Sequence, residues 1–385
     1  MEPEPQRQLG EAPHARPPAE SAPRLGALLH ESREPNTFDS IFVGSEGLRA
    51  GWSILLFYSM YYLFRMVAGT IFYTAGWIGD TVDSSASSVL IVELIPFLSL
   101  LASGTIMALL EGRRIMSYNL ASPRGSLRFI SGALAGFVAL SILVGMLAWG
   151  GWLRFDATLL PSGQKLGFAA LWGCAFLFVA CVEEGLFRCY GLFTLARGIN
   201  FWWALAIEAV LCGDTFLRSR SNGAWGVCLI ALLGFLPCLT LHRKSAPRSG
   251  FWQAAWVTST AFAFYHTLNS GENWIGIFAA GAMGCVFCLS VRVTGSAWWA
   301  IGFHAAWDWA ETYFYGVADS GLQGKDHFLG ASPVGNVLWS GGSDGPEGSL
   351  LVLGVILLLV VFLVAAYGRG QPQAPDAIPV RRAAV

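Results

Sequence analysis

Hydrophobic and polar positions alternate along this chain in long blocks. Apolar runs of about 20 residues, the length that crosses a bilayer core as a helix, fall at about 50–75, 87–110, 129–150, 166–187, 201–217, 223–241, 252–268, 273–291, 296–315 and 349–367. The fourth continues through Arg197 as an amphipathic segment. The pattern predicts ten membrane-crossing helices, and among the polar segments joining them are an acidic turn with Asp80 and Asp83 and a loop at 111–128 carrying Arg113, Arg114, Arg124 and Arg128. It divides the chain into N-terminal helices (38–165), a central region (166–315), a Gly- and Asp-containing loop (316–347) expected to be extracytoplasmic, and a final helix (348–368). Residues 1–37, rich in Pro, Ala, Glu and Arg, and residues 369–385 are expected to be disordered tails.

Composition points the same way. Of the 385 residues 54% are hydrophobic and 13% charged, against roughly 25% charged in soluble domains. The fold class is therefore all-α, a polytopic transmembrane helical bundle whose obligate surroundings are the lipid bilayer. A net charge of −1 gives no argument for nucleic acid. The eight cysteines lie in or beside apolar runs, where small apolar packing is their expected role rather than a disulfide framework or a zinc ribbon. The first apolar run begins near Gly51, too late for a signal peptide, so the spans themselves are expected to direct insertion. Placing both termini in the cytoplasm puts most Lys and Arg on that side, with Arg218 and Arg220 the main exceptions. The expected location is integral to a cell inner or plasma membrane. Oligomeric state is not encoded in the pattern.

The charges inside the apolar runs carry the chemistry. A charge at the bilayer centre costs at least about 2.5–3.5 kcal/mol, so an intramembrane ionisable residue marks a functional site by default. Cys181-Val-Glu-Glu-Gly-Leu-Phe-Arg-Cys-Tyr190 places Glu183, Glu184 and Arg188 within six positions of the fourth run. Glu184 and Arg188, four apart, share a helix face and can pair. Glu183 points about 100° away and is left free for chemistry. His266 closes Phe262-Ala-Phe-Tyr-His266, and His304 and Asp308 share a face of the 296–315 helix. Each intramembrane histidine taken alone is as well explained by a packing hydrogen bond. Together with the Glu-Glu-x-x-x-Arg cluster they point to one cytoplasm-facing cavity.

Glu183-Glu184-x-x-x-Arg188, Phe262-x-x-x-His266 and His304-x-x-x-Asp308 resemble, in order, the three motifs of the CPBP intramembrane proteases, also called the CAAX-processing and bacteriocin-processing or type II CAAX prenyl endopeptidase family. The resemblance covers roughly 166–315. It implies an eight-helix core around a membrane cavity open to the cytoplasm. It also implies that Glu183 activates the attacking water with His266 as partner, that His304 and Asp308 bind the oxyanion or orient the site, and that Glu184 and Arg188 brace it. The family more often has Asn where Asp308 stands; an ionised Asp cannot donate to an oxyanion and would have to hold His304 or be protonated. A second departure is some fifty additional residues between the first two motifs. Asn200-Phe-Trp-Trp-Ala-Leu-Ala and Ser249-Gly-Phe-Trp-Gln-Ala-Ala resemble each other, so 201–241 reads as an inserted helical hairpin bearing Glu208 and Asp214, which are expected to partner Arg218 or Arg65.

Peptide hydrolysis needs an activated water and a stabilised tetrahedral oxyanion. Glu183 with two histidines meets this without a metal. Glu183, His266 and His304 are equally a three-ligand zinc set, as in a metalloprotease. The sequence leaves both open, with the metal-free form preferred. His-Glu-x-x-His, Gly-x-Ser-Gly and Gly-x-Gly-Asp signatures are absent from the spans, and Gly341-Gly-Ser-Asp344 lies in a loop expected to be a plain connector. The expected function is an intramembrane endopeptidase acting on membrane-associated, in some cases lipidated, peptides or proteins. Two other classes stay open: a non-catalytic binding, immunity or scaffold protein with the same cavity, and a transporter, which would need an inverted repeat that the chain does not display.

Overall fold

The computed structural model describes residues 41–44, 47–79, 83–156, 160–219, 221–244 and 249–368. The tails expected at 1–37 and 369–385, and Arg220, lie outside them.

The apolar blocks fold as helices. In chain order these are α1 (Ala50–Thr74), α2 (Ala86–Leu110), α3 (Gly125–Trp149), α4 (Lys165–Glu184), α5 (Leu192–Gly198), α6 (Phe201–Ser219), α7 (Asn222–Gly234), α8 (Leu236–Arg243), α9 (Ser249–His266), α10 (Trp274–Thr294), α11 (Trp298–Trp309), the single turn α12 (Val337–Ser340) and α13 (Leu351–Tyr367). Among the described residues the strands form two small antiparallel pairs, β1 (Val43–Gly44) with β2 (Gly47–Leu48), and β3 (Leu153–Asp156) with β4 (Gly330–Pro333). Among the described residues six helical segments are long and apolar enough to cross a membrane: 50–74, 86–110, 125–149, 165–198, 223–243 and 274–294. The four remaining predicted spans correspond to α6, α9, α11 and α13, which are shorter or more polar. For α9 the reason is packing. It buries Gln253, Thr258, Ser259, Thr260 and His266 inside the bundle, so its polar groups meet protein instead of lipid. Lipid-facing character is concentrated on the outer helices, where Leu63, Met66, Leu134 and Leu357 are exposed.

Two apolar clusters fix the bundle. One joins α3, α10, α11 and α13 through Leu140, Leu143, Phe287, Phe303 and Leu359. The other joins α1, α2, α4, α5 and α9 through Phe57, Met107, Ala180, Leu192 and Phe262. The closest helix contact is α3 on α11. A Cβ at Gly132 or Gly136 would collide with the backbone of Trp299 or Phe303, so this Gly-x-x-x-Gly pair lets the backbones touch as small residues do in membranes. That contact sets the position of His304, one residue beyond Phe303.

The 201–241 stretch expected to be an inserted hairpin folds as α6, α7 and α8, which pack on α9 and α10 through Cys212, Val227, Phe264 and Ile277. Asp214 pairs with Arg218. Glu208 does not take part in that pair; it is fully buried beside Thr260 of α9. Arg65 reaches the Tyr265 hydroxyl at 3.4 Å. All eight cysteines are free thiols.

The 316–347 segment is not a plain connector. β4 pairs with β3 at the end of α3, Trp339 stacks on Trp152 at 5.3 Å, and Lys325 Nζ pairs with Asp83 at 2.6 Å. These ties hold it across one end of the bundle.

Candidate active site

Glu183 and Glu184 are the last residues of α4. Beyond them the helix widens into a π-turn at Gly185–Gly191, and a second π-turn, Ala310–Tyr315, follows α11. Such turns insert one residue into a helix and free backbone carbonyls. In the first, the Leu186 carbonyl accepts from the Tyr58 hydroxyl at 3.0 Å and the Arg188 carbonyl accepts from Asn119 Nδ2 at 2.8 Å. Residues of α1 and of the loop before α3 therefore hold the turn that carries Arg188.

Glu184 and Arg188 are both fully buried. Arg188 Nη1 donates to Glu184 Oε1 at 3.1 Å, and the rings of Phe262, Phe287 and Phe187 enclose the guanidinium with centroids at 4.2, 5.2 and 5.7 Å. Aromatic faces stabilise a cation in a medium where water does not reach. The same Glu184 oxygen lies 3.0 Å from His304 Nδ1. On the other edge of that ring, Nε2 faces Glu183 Oε2 at 3.7 Å and Asp308 Oδ2 at 3.5 Å. Three carboxylates thus surround one imidazole, one on Nδ1 and two on Nε2.

His266 is held differently. Its Nδ1 is 2.8 Å from the Phe262 carbonyl. A carbonyl only accepts, so Nδ1 carries the hydrogen and the neutral ring keeps its lone pair on Nε2.

Glu183, His266, His304 and Asp308 line a single cavity of about 440 Å³. Glu184 and Arg188 do not line it; they sit behind His304. The walls include Val89, Phe176, Met283 and Phe287, and Asp319, Ser320 and Leu322 of the 316–347 segment. Four acids go beyond the sequence reading. Glu93 of α2 lines the cavity, as do Asp319 and Glu347, while Glu311 is fully buried in the second π-turn. Glu93 and Glu311 carry the signal that exposed Glu183, a carboxylate in an apolar run. Asp319 and Glu347 sit in a polar loop and carry no such signal. Burial, with Asp308 and Glu347 nearby, pushes the Asp319 carboxyl well above the ordinary carboxylate range.

The zinc set does not fit this arrangement. Zinc holds nitrogen and oxygen ligands at about 2.0–2.2 Å, which requires their donor atoms to converge. Among the described residues the set whose donor atoms all lie within 4.8 Å of one another is Glu311, Asp319 and Glu347, and not Glu183, His266 and His304. His304 is moreover engaged by carboxylates on both nitrogens.

Comparison with known proteins gives one match, over part of the chain. No curated protein and no solved structure matches the chain. Residues 240–310 match the family model described as type II CAAX prenyl endopeptidase Rce1-like, a stretch that contains His266, His304 and Asp308 but ends before Glu311 and begins after Glu183, Glu184 and Arg188. The chain is an integral membrane protein that is similar, over residues 240–310, to the type II CAAX prenyl endopeptidase Rce1-like family.

Proposed function

We propose that this protein is an intramembrane endopeptidase that hydrolyses peptide bonds of membrane-associated peptides or proteins, lipidated ones included, entering from the cytoplasmic side. The observation that carries this reading is that Glu183, His266, His304 and Asp308, from three separate helices, line one cavity. A volume of about 440 Å³ suits a few substrate residues, and its apolar walls suit side chains or acyl groups drawn from lipid.

In this mechanism the Glu183 carboxylate takes a proton from a water in the cavity as the water oxygen attacks the scissile carbonyl carbon. The neutral His266 ring, hydrogen-bonded through Nδ1 to Phe262 O, offers Nε2 as a second acceptor for that water. A proton on His304 Nε2 is the donor for the developing oxyanion. Glu184 fixes the ring through Nδ1, and Arg188 fixes Glu184. As the tetrahedral intermediate collapses, the proton held by Glu183 passes to the leaving amine nitrogen and the C–N bond breaks. The Asp308 carboxylate, 3.5 Å from His304 Nε2, orients that edge electrostatically and leaves the Nε2 hydrogen to the oxyanion. No step in this scheme is routed through a metal.

The test is cleavage of a panel of fluorogenic membrane peptides by purified wild type and Glu183→Ala, with and without a zinc-selective chelator. Loss in the variant with activity retained under chelator supports the glutamate mechanism. Chelator loss in the wild type overturns its metal independence. Equal silence of both proteins, also on native membrane extracts followed by mass spectrometry, favours a non-catalytic binder.

A further inference from the structure

At the loop end of the cavity Glu311, Asp319 and Glu347 offer one oxygen each, all within 4.8 Å of one another. Glu311 follows α11, Asp319 lies in the 316–347 segment, and Glu347 lies in the short turn Pro346–Gly348 ahead of α13. Three parts of the chain therefore converge on one point.

The cluster is not explained by pairing among the groups present. Glu311 is fully buried, and neither of its carboxylate oxygens has a hydrogen-bond partner. The charged groups that act on it are Glu347, Asp319, Asp308 and Asp344, all of one sign. Its two neighbours are by contrast oriented. Glu347 Oε1 accepts from Trp307 Nε1 at 2.6 Å and Oε2 from Ser320 Oγ at 3.1 Å, while Asp319 Oδ2 accepts from Thr312 Oγ1 at 3.3 Å. These outer contacts fix carboxylates as they do around metal ions. A buried, unpaired carboxylate aimed at two oriented ones is costly unless a cation or shared protons neutralise it.

We infer that Glu311, Asp319 and Glu347 form a binding site for a hard divalent cation, calcium in preference to magnesium or zinc, which fastens the 316–347 segment and the Pro346–Gly348 turn to the end of α11. The donors are oxygen alone, which suits calcium better than zinc, whose sites usually include nitrogen or sulfur. Calcium takes oxygen ligands in a flexible geometry at about 2.3–2.6 Å, so three carboxylates from separate parts of the chain, all within 4.8 Å of one another, can close on it. Magnesium at about 2.0–2.1 Å demands a tighter octahedron. The site is separate from hydrolysis and stands whether or not the cavity cleaves peptides. Because Asp319 and Glu347 also line that cavity, the ion would shape its loop-side wall.

Terbium, a luminescent calcium substitute, provides the test, and Trp307 on the Glu347 carboxylate is the built-in sensitiser. Full-length protein is purified in detergent, stripped with chelator and titrated with terbium under tryptophan excitation. The expected result is saturable emission displaced by calcium. It should weaken in Glu311→Gln and Asp319→Asn by more than the roughly 10–100-fold that loss of an outer hydrogen-bond partner of a metal ligand costs. Calcium should also raise the melting temperature of the wild type and not of Glu311→Gln. If Glu311→Gln does not fold, Glu347→Gln takes its place, since Glu347 is only partly buried. Glu183→Gln should bind terbium like the wild type, which separates failure of this site from failure of the protease reading. Absent or unsaturable emission, or emission unchanged in the ligand variants, overturns the site and leaves shared protons as the neutralising device.

Discussion

Glu184 and His304, 120 positions apart in the chain, are joined at 3.0 Å between Oε1 and Nδ1. Since the same oxygen accepts from Arg188, the order Arg188, Glu184, His304 is one buried relay of position. It transmits the placement of α4 to the ring that faces the cavity.

Breaking the relay at its cation should be costly. Arg188→Met leaves Glu184 buried without its positive partner, and removing one member of a buried pair typically costs about 3–5 kcal/mol. Thermal melting in detergent should show a large drop. Glu184→Gln combined with Arg188→Met should recover most of that stability, because no uncompensated charge is left. Peptide cleavage should stay low in the double variant, since an amide holds His304 less firmly than a carboxylate. Recovery of full activity would show that Glu184 does not position the ring.

Glu183→Gln should separate chemistry from folding. Its side chain is partly exposed to the cavity and makes no close ion pair, its nearest being His304 at 3.7 Å. The melting temperature should therefore stay near that of the wild type while kcat/KM falls by about 10²–10⁴-fold, the usual worth of a general base. A fall below tenfold with a native melt would remove Glu183 from the base role.

Gly284 on α10 gives Arg188 its room. A Cβ there would lie 2.7 Å from Arg188 Nη2 and 3.0 Å from Ser259 Cβ. Gly284→Ala should destabilise by about 1–3 kcal/mol, the common cost of overpacking, and should lower cleavage as well by shifting the guanidinium. Differential scanning fluorimetry and the peptide assay read the two effects. A neutral melt would mean that α9 and α10 separate freely.

The segment between α9 and α10 should make stability depend on pH. Burial, followed by the nearby Asp344, raises the Glu272 carboxyl from 4.5 to about 9. Between those values the folded protein keeps a proton that the unfolded chain releases, so stability falls as pH rises. Melting in chelator-containing buffer should be highest near pH 5 and decline toward pH 9. Glu272→Gln should flatten the decline, and an unchanged slope in that variant would assign it to other groups.

The charged motifs were legible because a bilayer makes charge conspicuous. Glu183, Glu184, Arg188, His266, His304 and Asp308 stand out of apolar runs on energetic grounds alone. The (i, i+4) spacing of Glu184 and Arg188 fixes a local contact that needs no tertiary information. The helical bundle itself follows from the same blocks. The same blocks leave open which helices face lipid. Hydropathy does not distinguish a helix facing lipid from one such as α9, enclosed by other helices.

Only the tertiary structure decided what lies between distant segments. The shared Glu184–His304 contact depends on α3 and α11 meeting at Gly132 and Gly136, a matter of backbone approach that composition does not encode. The π-turns after α4 and α11 depend on partners elsewhere, such as Asn119 for the Arg188 carbonyl. Asp319 and Glu347 lie in polar surroundings where a carboxylate is ordinary. They acquire meaning when β3–β4 pairing and the Lys325–Asp83 pair fold their segment back over the buried Glu311. Sequence determines which charges are expensive, because that depends on neighbours along a helix; the fold determines which of them share one cavity, because that depends on where the helices cross.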